Sequence, residues 1–153
     1  MATAFSTTSA LPGYEISTDP DRLDVDLIYG FLSTSYWAHG RSRAVVERSI
    51  RGSIPFGVYL IGPAEAPDQV GFGRVITDTA VFAYLADVFV VPAHRGRGIA
   101  KGLMRAVLAH PDLQSLRVFL LRTRDAHGLY RQFGFGPVPD PGEMMARLWP
   151  PTA

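Results

Sequence analysis

The feature that most limits what this chain can fold into is a change of periodicity in mid-sequence. The run Val81–Val91 is almost wholly apolar and ends at Pro92; after His94-Arg95-Gly96-Arg97-Gly98, residues Ile99, Leu103 and Val107 recur at helical spacing. A strand therefore feeds a glycine-rich loop that opens directly into a helix, and a strand so apolar belongs inside a sheet, buried on both faces. Phe56–Ile61 and Val70–Ile76 precede it through short connections, the second being Thr77-Asp78-Thr79, which predicts an antiparallel meander. Tyr14 and Ile16 alternate with polar neighbours as a short strand would. Asp19-Pro20 reads as a cap followed by a first-position proline, and Leu23, Leu27, Ile28, Phe31 and Leu32 predict an amphipathic helix over 20–35, with a second from about Ser42 to Arg51. Leu116–Thr123 predicts a further strand, Ala126–Phe133 a short helix, and Met144–Leu148 a last edge strand. The order predicts a mixed α/β sheet.

With 153 residues, 47% of them hydrophobic, the chain is long enough for one core: a flexible stretch over 1–12, then a single domain over 13–153. Charged residues make up 19% and the net charge is +1, which excludes a polyelectrolyte and argues against a nucleic-acid partner. There is no Cys, so disulfides, thiolate metal sites and a thiol nucleophile are excluded. The four His residues lack the i,i+4 spacing of a helical metal site, and no metal is expected. No apolar run reaches the roughly 18 residues of a membrane span, and the first residues lack the pattern of a secretion signal. The expected location is cytoplasmic, with no membrane partner.

Charge is unevenly spread. Residues 1–35 carry Glu15, Asp19, Asp21, Asp24 and Asp26 against Arg22 alone, whereas residues 87–136 carry eight basic residues against three acidic ones. The basic stretch contains the Arg-Gly loop, where N–H groups converge on a helix N-terminus, an arrangement that favours a phosphate or diphosphate. Gly96 and Gly98 let the backbone approach such a ligand, and Arg95, Arg97 and Lys101 add charge. A Walker loop would need Ser or Thr after its Lys, but Gly102 stands there; the dinucleotide fingerprint would need glycine where Lys101 stands.

The spacing Arg95-x-x-Gly98-x-Ala100 after a Val-x-Pro strand end resembles the acetyl-CoA signature of the GCN5-related N-acetyltransferases. A second block, Thr123-Arg-Asp-Ala-His-Gly-Leu-Tyr130-Arg-Gln-Phe-Gly-Phe, is similar to that family's Ala, Leu-Tyr and Gly-Phe pattern, and the order of elements follows the family over residues 13–148.

The resemblance implies a mostly antiparallel central sheet, splayed at the acetyl-CoA site, with helices on both faces. It implies that the pantetheine arm pairs with the backbone at Val88, Phe89 and Val90, that the pyrophosphate lies on Arg95, Gly96, Arg97, Gly98, Ile99, Ala100 and Lys101, and that Asp125 contacts the cofactor. Tyr130 matches the tyrosine that protonates the CoA thiolate. An acetyl group would pass directly to an amine, small molecule or peptide, through a tetrahedral intermediate. The glutamate that many relatives use as a base is replaced by Tyr84, which leaves Asp87 as the candidate base, or else as a carboxylate paired with Arg74 or Arg122. Trp37, Phe72, Arg74, Tyr84 and Thr123 are the candidate acceptor contacts, and dimerisation is common in the family. An acidic pocket would favour cationic acceptors, and the acidic first helix points that way. Two alternatives stay open: transfer of another acyl group, and a noncatalytic acyl-CoA-binding or regulatory domain.

Overall fold

A computed structural model describes residues 3–63 and 68–150. Six strands form one sheet in chain order: β1 (Ser6–Thr7), β2 (Tyr14–Ser17), β3 (Ile54–Leu60), β4 (Gln69–Thr77), β5 (Phe82–Val90) and β6 (Val118–Leu121). Every pairing is antiparallel except β5 with β6, which is parallel and joined through α3 (Ile99–Ala109). A parallel neighbour requires such a crossover. The remaining helices are α1 (Val25–Thr34), α2 (Arg43–Arg51) and α4 (His127–Arg131).

The sheet carries two apolar clusters. Ile99, Leu103, Met104 and Val107 of α3 pack with Ile16, Phe56, Val58, Val75 and Leu85; Ile28 and Leu32 of α1 and Val46 and Ile50 of α2 pack with Phe72 and Phe89. Each such side chain, fully buried, contributes roughly 1.5–3 kcal/mol. The helices thus bury their apolar stripes against the sheet, while the α1–α2 and β6–α4 loops remain available for a site.

Four expectations change. Asp19 caps only a single 3-10 turn, Pro20–Arg22; Leu23 is extended, and α1 starts after Asp24, whose side chain accepts from the Leu27 N–H at 2.9 Å. Two cap signals stand in tandem, and the second begins the α-helix. Residues 3–12 are tied to the fold rather than set apart from it: Ser6 and Thr7 pair with β2, and Leu11 is buried against α3 at Gly102, where a Cβ would stand 2.7 Å from Leu11 Cβ. Along β5, alternate residues from Tyr84 to Val90 are only half-buried, because one face of this apolar strand opens onto a cavity. Met144–Leu148 forms no strand: Met145 is 97% exposed and Leu148 82%, since the segment lies between Pro141 and Pro150 without a partner strand.

Candidate active site

The site begins with an irregularity in the sheet. Phe72 lies opposite Phe89 and Arg74 opposite Ala86, so Gly73 faces two residues, Asp87 and Val88. Asp87 takes φ +56°, a left-handed conformation that costs a non-glycine residue about 1–2 kcal/mol. Gly73 makes room for this bulge: a Cβ there would stand 3.2 Å from both Val88 Cγ2 and Leu103 Cδ2. Asp87 is only 5% exposed, and its carboxylate is fully engaged. Oδ2 accepts from Arg74 Nε at 2.7 Å and Arg41 Nη1 at 3.0 Å; Oδ1 accepts from Arg41 Nη1 at 3.0 Å and Trp37 Nε1 at 3.2 Å. These contacts fill the four lone-pair positions a carboxylate offers. Of the two readings of Asp87, the geometry favours the paired carboxylate; its partners are Arg74 and Arg41, and Arg122 is not one of them. Both oxygens are already committed to this pairing.

Beyond the bulge the sheet opens. The β5–β6 pairing runs from Phe82 with Val118 to Leu85 with Leu121 and stops there, so the edge of β5 over residues 86–90 on the β6 side has no strand partner among the described residues. A cavity of about 710 Å³ fills the gap. Tyr84, Asp87 and Val88 line it from β5, Arg74 from β4, Trp37 from the α1–α2 loop, and Thr123, Asp125 and Tyr130 from the β6–α4 region. Val90 opens instead onto a second cavity of about 210 Å³ at the N-terminus of α3.

Arg95, Gly96, Gly98, Ile99, Ala100 and Lys101 line that second cavity, and Arg97 is exposed beside it. Gly98 caps α3 at φ +78°, with no side chain to take up the first N–H groups of the helix, which leaves them for an anion. Gly96, also left-handed at φ +77°, has nothing within 4 Å of where a Cβ would lie. Arg95 turns back so that its Nε donates to the Val90 carbonyl at 3.1 Å, bracing the loop against the end of β5.

Tyr130 on α4 is 8% exposed, and its hydroxyl has no hydrogen-bond partner among the described residues. Burial pushes its pKa up to about 12, with Tyr36 and Asp125 adding to the rise, so the phenol stays protonated at neutral pH and can act as a donor. Besides Arg97, two expected residues take no part in lining either cavity. Phe72 is fully buried between Phe89 and the α1–α2 helices, and Phe89 stacks on Phe31 at 4.1 Å. Alternation along a strand sends these side chains into the core, so Phe72 is not an acceptor contact and Phe89 offers only its backbone.

Tyr36 and Arg124 were not among the expected site residues, yet they meet at the cavity. The Arg124 guanidinium sits 3.9 Å from the Tyr36 ring centroid; the Tyr36 hydroxyl accepts from Arg124 N–H at 3.3 Å and reaches Asp125 Oδ1 at 3.4 Å. This couples the α1–α2 loop to the β6–α4 loop across the cavity mouth. Contacts separated by almost 90 residues leave no periodic signal; the clustering of aromatics at Tyr36-Trp37 is the only trace.

This geometry can be set beside known proteins. Residues 59–137 match the family model for the acetyltransferase (GNAT) domain. A protein of Gibberella zeae, provisionally named an acetyltransferase, is 34% identical over 140 residues, covering 79% of this chain and 78% of its own. A crystal structure from Xanthomonas campestris pv. campestris, provisionally named an acetyltransferase of the GNAT family, is 50% identical with a TM-score of 0.84 and covers 92% of this chain and 96% of its own. A Staphylococcus aureus protein at 20% identity and TM-score 0.67, covering 89% of this chain and 99% of its own, shares the fold. A strand bulged at Asp87 and parted from its neighbour, a glycine loop at the head of α3 and a domain match that spans both agree: the chain belongs to the GNAT acetyltransferase family.

Proposed function

We propose that the protein is an acetyl-CoA-dependent N-acetyltransferase that moves an acetyl group directly to an amine. The observation that carries this reading is the placement of the site along one strand: the glycine loop, the unpaired edge of β5 and the Tyr130 phenol border two neighbouring cavities that meet β5 at Val88 and Val90. The residues fit the cosubstrate. The first N–H groups of α3, with Lys101 and Arg97, suit the diphosphate; the open edge of β5 suits the amides of the pantetheine arm; the Val88 N–H suits the thioester oxygen as its charge grows. Acetyl-CoA supplies the acyl group as an activated thioester. A C–N bond forms and the C–S bond breaks; Tyr130 passes its hydroxyl proton to the departing sulfur and regains one from solvent, while the amine gives its proton to water in the cavity. Asp87 holds Arg41 and Arg74 and accepts no proton.

Because the chain has no Cys, released CoA thiol can be read with a disulfide reagent free of protein background. Tyr130→Phe is expected to lower turnover by about 10²-fold, the lower end for loss of a general acid, with acetyl-CoA affinity within twofold of the parent by calorimetry. An equal loss of affinity and turnover would reduce Tyr130 to packing. The saturation of Asp87 favours a second reading, a noncatalytic acyl-CoA-binding domain. Binding of acetyl-CoA without thiol release across a broad panel of amines would select it, and absence of binding would remove both.

A further inference from the structure

The charge inside the larger cavity does not follow the charge of the first helix. The acidic residues of the front segment lie elsewhere: Glu15 pairs with Arg22, Asp26 with Arg43, Asp19 and Asp24 cap helical turns, and Asp21 is exposed on the first of those turns. None of them lines the cavity, which carries Arg41, Arg74, Arg122 and Arg124 against Asp87 and Asp125. Asp87 lies between two of these guanidinium groups, so the cluster of Arg41, Arg74 and Asp87 keeps one net positive charge. Among the described residues, Arg122 has neither a hydrogen-bond nor an ion-pair partner for its side chain, and Arg124 has no carboxylate within 4 Å; Tyr36 presents the Arg124 guanidinium at the mouth. The cofactor's diphosphate does not account for these charges, because the loop suited to it borders the other cavity.

From this excess we infer that the acceptor amine carries an anionic group, a carboxylate or a phosphate, held by Arg122 and Arg124 with the exposed side of Arg41. The inference rests on the acetyl-transfer reading and names its substrate class. Guanidinium forks match both oxyanions in a bidentate manner, and a partly enclosed cavity of one sign concentrates the opposite one. The same charges disfavour the ammonium form of an amine held among them, so a nucleophile would be kept neutral without a carboxylate base. A polyamine or other multiply cationic acceptor would meet a net repulsion, offset only at Asp125.

A matched series tests it: ethanolamine, β-alanine, O-phosphoethanolamine and 1,4-diaminobutane differ mainly in the second group, which is neutral, carboxylate, phosphate or ammonium. The expected result is kcat/KM for β-alanine or O-phosphoethanolamine at least tenfold above ethanolamine, with 1,4-diaminobutane lowest; the better of the two anionic amines identifies the oxyanion. In Arg122→Gln/Arg124→Gln the ratio of anionic to neutral acceptor should fall at least fivefold, and raising the salt concentration should lower it in the parent. Thiol release with ethanolamine or 1,4-diaminobutane equal to or above the anionic amines overturns the inference while the transferase reading stands. If acetyl-CoA binds but none of the four turns over, NMR titration of the CoA-loaded protein with the same four decides: selective binding of the anionic pair supports the inference, and equal or cation-favouring binding overturns it.

Discussion

Asp87 illustrates how a single side chain can mislead when only its type is known. A carboxylate on the strand beside the reacting centre invites the role of base, yet the left-handed backbone that aims it inward also delivers it to Arg41, Arg74 and Trp37. Removing its charge should therefore be read first in stability. Asp87→Asn leaves Arg74 buried without a counterion and sets an amide N–H2 against guanidinium donors. A loss of roughly 3 kcal/mol in urea unfolding is expected, at the low end for a broken buried pair because the Arg41 side chain is 31% exposed. A variant of parental stability that has lost only the acidic limb of its pH–rate profile would restore the base.

Among the elements, α3 shows the clearest coupling of local signals to the rest of the fold. Its head presents the glycine loop, and its tail ends at His110, 6% exposed and packed edge-on against Phe5 and Phe56. His110 Nδ1 accepts from the Asp112 N–H at 3.2 Å, so the ring is neutral with its proton on Nε2. Burial lowers its pKa despite the opposing charge of Asp112. The unfolded chain then takes up this proton more readily than the folded one; the stabilisation is complete above the ordinary value of 6.5 and is lost as pH falls through the folded value. The melting temperature should drop from pH 7 to pH 5 less steeply in His110→Asn, which keeps an acceptor for Asp112, than in the parent. Equal slopes would remove His110 from the acid response. The strands and helices themselves were legible because alternation and 3.6-residue spacing are local properties: β3, β4, β5, α2 and α3 lie within about two residues of their expected bounds. The start of α1 was not, because Asp19 and Asp24 are equally good caps and only tertiary contacts choose; the Asp24 N–H donates to Gln69 on β4 at 2.8 Å. The strand pairing of residues 6–7 was missed for a similar reason, since two residues carry no period.

At the scale of the whole molecule, the distribution of charge changes meaning once the chain is folded. The acidic first helix pointed to an acidic pocket, but the front segment turns most of its carboxylates to caps and outer ion pairs, leaving arginines from three separate segments, the α1–α2 loop, β4 and the β6–α4 loop, around the cavity. The glycine loop at the head of α3 could be read beforehand because its residues are contiguous in sequence. The lining of the larger cavity was legible only in part: Trp37, Arg74, Tyr84 and Thr123 were expected there and line it, whereas Tyr36 and Arg124 join it only through the crossing of two loops far apart in sequence. One consequence is optical. Trp37 is one of two tryptophans, and the other, Trp149, lies 72% exposed in the C-terminal segment. In Trp149→Phe all indole emission would arise from a ring whose N–H is bonded to the Asp87 carboxylate and whose centroid lies 5.0 Å from that of the nearly perpendicular Tyr36 ring. Filling the cavity must disturb that environment, so a ligand that enters between Arg41 and Tyr36 should shift or quench the emission, whereas one confined to the glycine loop should leave it unchanged. The fold thereby contains a reporter that distinguishes occupancy of its two cavities without a label.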